Sequence, residues 1–465
     1  MMTGRAEILV RGANWIGDAV MTLPALTALR DHFPQARLTV LTRPWAAGVY
    51  QGQADQVLTY EPDGRHRGLT GAMALIRELA HFDLALLFQN AFSAALFPAL
   101  ARVPERWGYA RDGRRFLLTR AVRIEPLDRK VHEVFYYLNL LEKLGLPAPY
   151  RPPRLPLDDA ARAEAGAILD QAGLGQRKFV LALAPGAAFG PAKRWPEADF
   201  ARAARLILEA RPGGTVILGG PEETPAADRL MEMLPEPKLN LAGRTTLKTA
   251  MAVLNRAALL LTNDSGLMHL GGALGVPLAA VFGPTSPLST APLGPSRLIR
   301  SQAACAPCLK RVCPLPRQIC FDEVNPDLVA EAALDLLTEK PTGGRAVVIL
   351  DPDILGPAAA EAALALAQRG HLMVLNGPAE TSARGQAGLI QAGVPPEAIT
   401  LLAPPDLDPA RSLWIGGRPE TLAPAYLAGA RSVLIPGGGH TPAGFQTPTL
   451  TAPNLRRAVE WFLAV

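Results

Sequence analysis

Short runs of Val, Ile, Leu and Ala alternate along this chain with longer amphipathic stretches, and glycine-bearing turns repeatedly join the two. Buried strands that feed helices through such turns specify parallel α/β sheets. EILVRG followed by GDAVMTLPALTALRDHF and ARLTVLTRP is a strand, a helix and a strand, and HFDLALLFQN adds a strand ending in polar residues. VHEVFYYLNLLEKLGL has the aromatic and leucine spacing of a core-facing helix. The proline-rich connector RPPRLPLDD precedes a second series, KFVLALAPGA, a helix near 196–211, GTVILGGPEE, a helix near 225–234, and AALLLTNDSGLMHLGGALGVPLAAVFGPTS. NPDLVAEAALDLLTEK closes that series, and a third begins at RAVVILDPDILG. With 465 residues the chain exceeds one core, since cores stop growing near roughly 250–300 residues. The division expected is 1–157, 158–342 and 343–465, a repeated architecture without an obvious sequence repeat.

Composition narrows the class further. The 49% hydrophobic and 19% charged content leaves no tract polar enough for extended disorder. There is no signal-like leader and no window of about 18 uncharged apolar residues, so a soluble cytoplasmic protein is expected. The net charge of +5 falls in the first three quarters of the chain and suits an anionic substrate, or reflects an arginine habit without binding meaning. No nucleic-acid reader motif is present, so no nucleic-acid partner is expected.

Three segments carry candidate chemistry. In RGANWIGDAVMTLPAL, Gly12, Gly17 and Asp18 stand between a strand and a helix, where free amides favour anions. Asp18 is a carboxylate and cannot bind phosphate, so it is either a helix cap or a base for an attacking hydroxyl. In APGAAFGPAKRWP, Gly186 and Gly190 precede Lys193, Arg194 and Trp195, a flexible cationic segment suited to a diphosphate or else a solvated basic helix start. In TNDSGLMHLGGALGVP, Asp264, Ser265, Gly266 and His269 follow a strand at a helix start, as a phosphate or ribose grip would.

GDAVMTLPAL, PGAAFGPAKRWP and NDSGLMHLGGALGVPLAAVFGPTSP, in that order, resemble the lipopolysaccharide heptosyltransferase family, glycosyltransferase family 9, and FGPAKRWP most resembles its heptosyltransferase II branch. The resemblance covers about residues 6–340. It implies a GT-B fold: a first Rossmann-like domain for the acceptor and a second for the ADP-sugar. It also implies an inverting transfer of L-glycero-D-manno-heptose from ADP-heptose to a heptose of the lipid A–inner core acceptor, with transient contact at the inner-membrane surface. No cofactor is required by that scheme, with a divalent cation as an optional addition. By motif match Asp18 resembles the general base and Lys193 the cation on the donor diphosphate. Gly17, Gly186, Arg194, Asp264, Ser265, Gly266 and His269 fall in the donor-binding loops, and Glu222 or Glu223 falls where the family holds the adenosine ribose. Arg102, Arg106, Arg111, Arg114 and Arg115 are candidates for acidic or phosphorylated inner-core sugars, or a solvated surface run.

Two further features stand outside that scheme. Cys305, Cys308, Cys313 and Cys320 are all the cysteines of the chain, inside sixteen residues. A tetrathiolate zinc or iron–sulfur site, a disulfide and free thiols are the alternatives, in a loop expected to lie apart from the chemistry. RAVVILDPDILG, HLMVLNGPAETSARG and SLWIGGRPETLAPAYLAGARSVLIPGGG resemble haloacid dehalogenase (HAD-like) phosphatases, in particular heptose bisphosphate phosphatases. Asp351 and Asp353 match their first motif. Ile354 replaces a glycine, Leu375 beside Asn376 replaces a hydroxyl residue, and Gly417 replaces a magnesium aspartate. No lysine follows Lys340, leaving Arg411 as the available cation. A degenerate, inactive domain is expected.

Overall fold

The computed structural model describes residues 6–125, 132–301 and 303–338, together with the strands of a third sheet. The first section runs β1 (Glu7–Arg11), α1 (Ile16–His32), β2 (Arg37–Thr42), α2 (Ala47–Tyr50), β3 (Gln56–Thr59), α3 (Gly68–Leu79), β4 (Leu84–Leu87), α4 (Phe92–Leu100), β5 (Glu105–Tyr109), β6 (Arg120–Val122) and α5 (Glu133–Lys143). The second begins with α6 (Asp159–Gln171), β7 (Val180–Ala184), α7 (Glu197–Ala210), β8 (Gly214–Ile217), α8 (Thr224–Glu232) and β9 (Lys238–Asn240). It continues with α9 (Leu247–Leu254), β10 (Leu259–Asn263), α10 (Gly266–Ala273), β11 (Leu278–Phe282), α11 (Pro287–Thr290), β12 (Ser296–Arg300) and α12 (Pro326–Thr338). The third contributes β13 (Val347–Leu350), β14 (Leu372–Leu375), β15 (Ile399–Thr400), β16 (Ser412–Gly416), β17 (Arg431–Leu434) and β18 (Leu450–Thr451).

The strand orders are β3-β2-β1-β4-β5-β6, β12-β11-β10-β7-β8-β9 and β15-β14-β13-β16-β17-β18. Renumbered within each section, all three are the same order, 3-2-1-4-5-6, and the central pairs β1 with β4, β7 with β10 and β13 with β16 are parallel. In such a sheet the chain reverses its winding direction at the central pair, and ligands bind beyond the carboxyl ends of those strands. The glycine turns of the sequence follow β1, β7 and β10 and therefore stand at these switch points. Beyond the third sheet's strands, Asp351, Asp353, Ile354, Asn376, Arg411 and Gly417 lie outside the described residues.

Both faces of the first two sheets are covered. Ile8 and Val10 enter one buried cluster and Leu9 another, and Val180 and Ala182 separate from Leu181 and Leu183 in the same way. This is the period of two expected of a strand buried on both sides. The cluster holding Ile8, Val10, Ala182 and Leu260 is continuous from the first sheet to the second. Helix α1, buried along most of its length, packs on α5 of its own section and α10 of the other. The two sheets are thus joined through helices whose N-termini carry the sequence motifs.

Candidate active site

The turn after β1 is built by buried polar groups. The Arg11 guanidinium donates to the Gly12 carbonyl at 2.6 Å, the Leu41 carbonyl at 3.0 Å and Asn14 Oδ1 at 2.7 Å. The Thr42 hydroxyl donates to the Ala13 carbonyl at 2.6 Å, and the Tyr50 oxygen accepts from the Ala13 amide at 3.0 Å. A Cβ on Gly12 would stand 2.9 Å from that Tyr50 oxygen, so any larger residue would push the Tyr50 hydroxyl out of its place. Trp45 Nε1 donates to the Asn14 carbonyl at 2.7 Å and closes the turn from outside.

Helix α1 then starts with Trp15, not Asp18, at its N-cap. The capping alternative for Asp18 therefore fails: the residue is the third of the helix, and its carboxylate makes no hydrogen bond among the described residues. Gly17, beside it, lies against the second section, where an added Cβ would stand 2.6 Å from the His269 ring. Gly266 likewise faces Ile16 at 3.0 Å. The first turns of α1 and α10 pack closely because both carry glycine at the contact. Two helix N-termini present partial positive charge to one place.

The segment after β7 brings in the cation. Asn263 Oδ1 accepts from the Trp195 amide at 3.2 Å while its Nδ2 donates to the Pro185 carbonyl at 2.6 Å, tying both ends of the segment to β10. Lys193 Nζ stands 2.5 Å from Asp264 Oδ2 and 4.7 Å from the centre of the Phe189 ring. The Thr285 hydroxyl donates to the same Asp264 oxygen at 2.7 Å. Asp264 is thus buried and held by Lys193 and Thr285, an arrangement in which its carboxylate aims the ammonium. Ser265 caps α10 by position, with its hydroxyl 3.3 Å from that of Thr262. His269 is buried, its Nδ1 has no partner among the described residues, and burial lowers its pKa to about 4, so the ring is neutral.

The turn after β8 places Glu222 and Glu223 differently. Glu223 accepts from the Gly220 amide at 2.8 Å and lies across Gly186, where any Cβ would collide with its carboxylate; Glu222 is exposed. Burial raises the Glu223 pKa, while the Gly220 hydrogen bond and Arg194 oppose the shift.

Two titratable groups shape the centre. Burial raises the Asp18 pKa from 3.8 to about 6, with Lys193 opposing and Asp264 reinforcing the shift. Glu133, first residue of α5, is raised to about 8 by burial and then by the charges of Asp18 and Asp264, against Lys193. Sequence reasoning missed Glu133, because an acid in the first turn of a helix is ordinary dipole complementarity. Three carboxyls and one ammonium from both sections therefore share a poorly hydrated place, the setting in which one carboxyl becomes a base near neutral pH.

The arginine run divides. Arg114 is fully buried and donates to the carbonyls of Tyr109, Gln89 and Ala91, and Arg106 to those of Val103 and Leu117. These two hold the fold, whereas Arg102, Arg111 and Arg115 are open to solvent to differing degrees. The Cys-rich loop is not remote from the cluster. The Arg311 carbonyl accepts from the Ala192 amide at 3.1 Å, and Gln318 donates to the Ala192 carbonyl at 2.5 Å, so the loop backs the turn that carries Lys193. Its four cysteines are free thiols, and among the described residues no three His, Cys, Asp or Glu side chains gather to hold a metal. The thiols of Cys305 and Cys313 stand near enough to Cys320 that, after burial, their charges help to raise its pKa.

Residues 72–318 match the description Glycosyltransferase family 9 (heptosyltransferase). Lipopolysaccharide heptosyltransferase 2 of Escherichia coli K12 is 31% identical over 313 residues, covering 63% of this chain and 88% of that protein. Lipooligosaccharide heptosyltransferase 2 of Campylobacter jejuni is 28% identical over 338 residues, covering 71% of this chain and 98% of its own length. The solved structure of the E. coli ADP-heptose LPS heptosyltransferase II superposes with a TM-score of 0.59 at 27% identity, covering 71% of this chain and 98% of that one. The paired parallel-sheet domains and the match across more than half the sequence lead to one conclusion: the chain belongs to glycosyltransferase family 9, the heptosyltransferases, and is a glycosyltransferase.

Proposed function

We propose that the protein transfers L-glycero-D-manno-heptose from ADP-heptose to a heptose of the lipopolysaccharide inner core, with inversion at the anomeric carbon. The observation that carries this reading is the single charge cluster made by Asp18 of the first section and Lys193 with Asp264 of the second. An acceptor hydroxyl attacking the anomeric carbon must lose its proton as the bond to ADP breaks. Asp18, ionised above about pH 6, takes that proton. Lys193, aimed by Asp264, and the amides at the start of α10 neutralise the charge gathering on the departing diphosphate. Gly17, Gly186, Arg194, Ser265, Gly266 and His269 shape the donor cleft, and the free oxygen of Glu223 accepts from the ribose hydroxyls. No metal enters the scheme.

In the same reading residues 1–157 hold the acceptor, 158–342 the ADP-sugar, and 343–465 are a degenerate relative of haloacid dehalogenase phosphatases. The enzyme works on the cytoplasmic side, at the inner-membrane surface. Among the described residues no helix is long and apolar enough to cross a membrane. The test is ADP release from ADP-heptose with a heptosylated inner-core acceptor. Asp18→Ala is expected to lower turnover by about 10²–10⁴-fold. Turnover with a UDP-sugar alone would refute the donor, and unchanged turnover in the variant would refute the base.

A further inference from the structure

In a parallel sheet every loop that follows a strand's carboxyl end lies on one edge. On the first sheet that edge carries Asp18, just beyond β1. It also carries a large exposed apolar side chain after each of the five strands β1 to β5. These are Trp15 (44% exposed), Trp45 (48%), Leu69 (78%), Phe92 (40%) and Phe116 (76%). Met73 continues the apolar surface one turn along α3 from Leu69, and Leu100 stands at the other end of α4. Single exposed apolar residues need no explanation, but one per strand along a single edge is a patterned surface.

Cations interleave with it. Arg43 stacks on the Trp45 ring at 4.6 Å, and Arg65, Arg67, Arg111 and Arg115 occupy the same loops, against Glu61, Asp63 and Asp112 as countercharges. Phe92 and Phe116 lie together, with ring centres 6.1 Å apart. Helix α4, FSAALFPAL, carries no charge at all. Apolar side chains flanked by arginines, with tryptophan among them, are the chemistry of a surface that rests in the headgroup layer of an anionic bilayer.

We propose that this rim docks the protein on an anionic lipid surface, holding the Asp18 turn above the bilayer. The inference rests on the reading that the acceptor is lipid-anchored, because an enzyme working on such an acceptor must bring its base to the headgroup layer. Docking through the edge that carries Asp18 does this without any segment crossing the membrane.

The test is flotation of the full chain with phosphatidylethanolamine–phosphatidylglycerol vesicles and with phosphatidylcholine vesicles. The protein is expected to float with the first and much less with the second, and to be released by salt. The double variant Leu69→Ser with Phe116→Ser changes two strongly exposed residues and should lower partition by about tenfold or more. Its turnover should stay within about twofold on a delipidated acceptor and fall with partition on a vesicle-embedded one. Equal flotation of variant and parent, or no flotation of the parent, overturns the proposal. So does an equal loss on both acceptors, which would make the rim a saccharide platform, or a dimer that the variant abolishes. Flotation needs no sugar donor, so a wrong donor assignment would leave its result untouched.

Discussion

At the scale of single residues the centre is organised by proton order. Asp18 titrates near 6 and Glu133 near 8, and the charge of Asp18 is itself one of the causes that hold Glu133 protonated. At neutral pH the site therefore holds an ionised Asp18 and a neutral Glu133. Turnover per donor bound should rise with pH through a limb near 6. Glu133→Gln copies the neutral carboxyl, so it should keep that limb in place and remove any change in rate near pH 8; a pH–rate profile of both proteins checks this. A limb that moves in the variant would mean that the two carboxyls titrate in the opposite order. Asp18 also has a cost to stability. Its native pKa lies above the unfolded value of 3.8, so its contribution is favourable below that value and is lost as pH rises through about 6. Asp18→Asn should therefore raise stability at pH 7 by roughly 1–3 kcal/mol while abolishing the base. Denaturant unfolding of the two proteins at pH 7 measures it.

Among elements, α1, α5 and α10 are the ones that bring the sections together. His132 caps α5: its Nδ1 accepts from the Val134 amide at 3.2 Å, so Nε2 is left as the donor to the Ala291 carbonyl at 2.8 Å, at the end of α11. The ring is fully buried and must be neutral to do both, and burial lowers its pKa to about 3. Between about 3 and 6.5 the unfolded chain takes up a proton that the native ring refuses, so stability is complete above 6.5 and falls as pH drops through that window. His132→Ala loses the cap and leaves the Ala291 carbonyl unpaired, at about 2–4 kcal/mol. Melting curves at pH 7 and pH 5 should show a lower Tm for the variant and a smaller difference between the two pH values. The spacing in VHEVFYYLNLLEKLGL predicts α5 itself, since aromatic and leucine residues at helical intervals leave little alternative. It does not predict the cap's partner 159 positions away, because nothing local in the sequence encodes which carbonyl a buried histidine will meet. The same limit hid Thr285, which meets Asp264 from beyond β11. The glycine turns beside Asp18 and Lys193 are legible because glycine itself marks a close approach, although the group that approaches, such as His269 at Gly17, is distant in sequence and is not.

For the whole molecule, one strand order serves three times, yet the family match at residues 72–318 falls on the first two sheets. The Campylobacter relative uses 98% of its own length to match 71% of this chain, so more than a quarter of this chain has no counterpart in it. Among the described residues, the third sheet touches the second section where β18 lies against α11, the short helix whose end accepts the His132 hydrogen bond. Its removal would thus uncover a contact that braces the two catalytic sections without touching Asp18, Lys193 or Asp264. A chain ending after Thr338 should keep turnover within about threefold at low temperature, because the pre-organised charges that lower the barrier remain in place. It should unfold at a lower temperature than the full chain, since burial on α11 is lost. Turnover assays at two temperatures with parallel melting curves separate the outcomes. Loss of turnover by the still-folded shorter chain would give the third sheet a part in the reaction, whereas loss that follows the melting curve alone would leave it a brace.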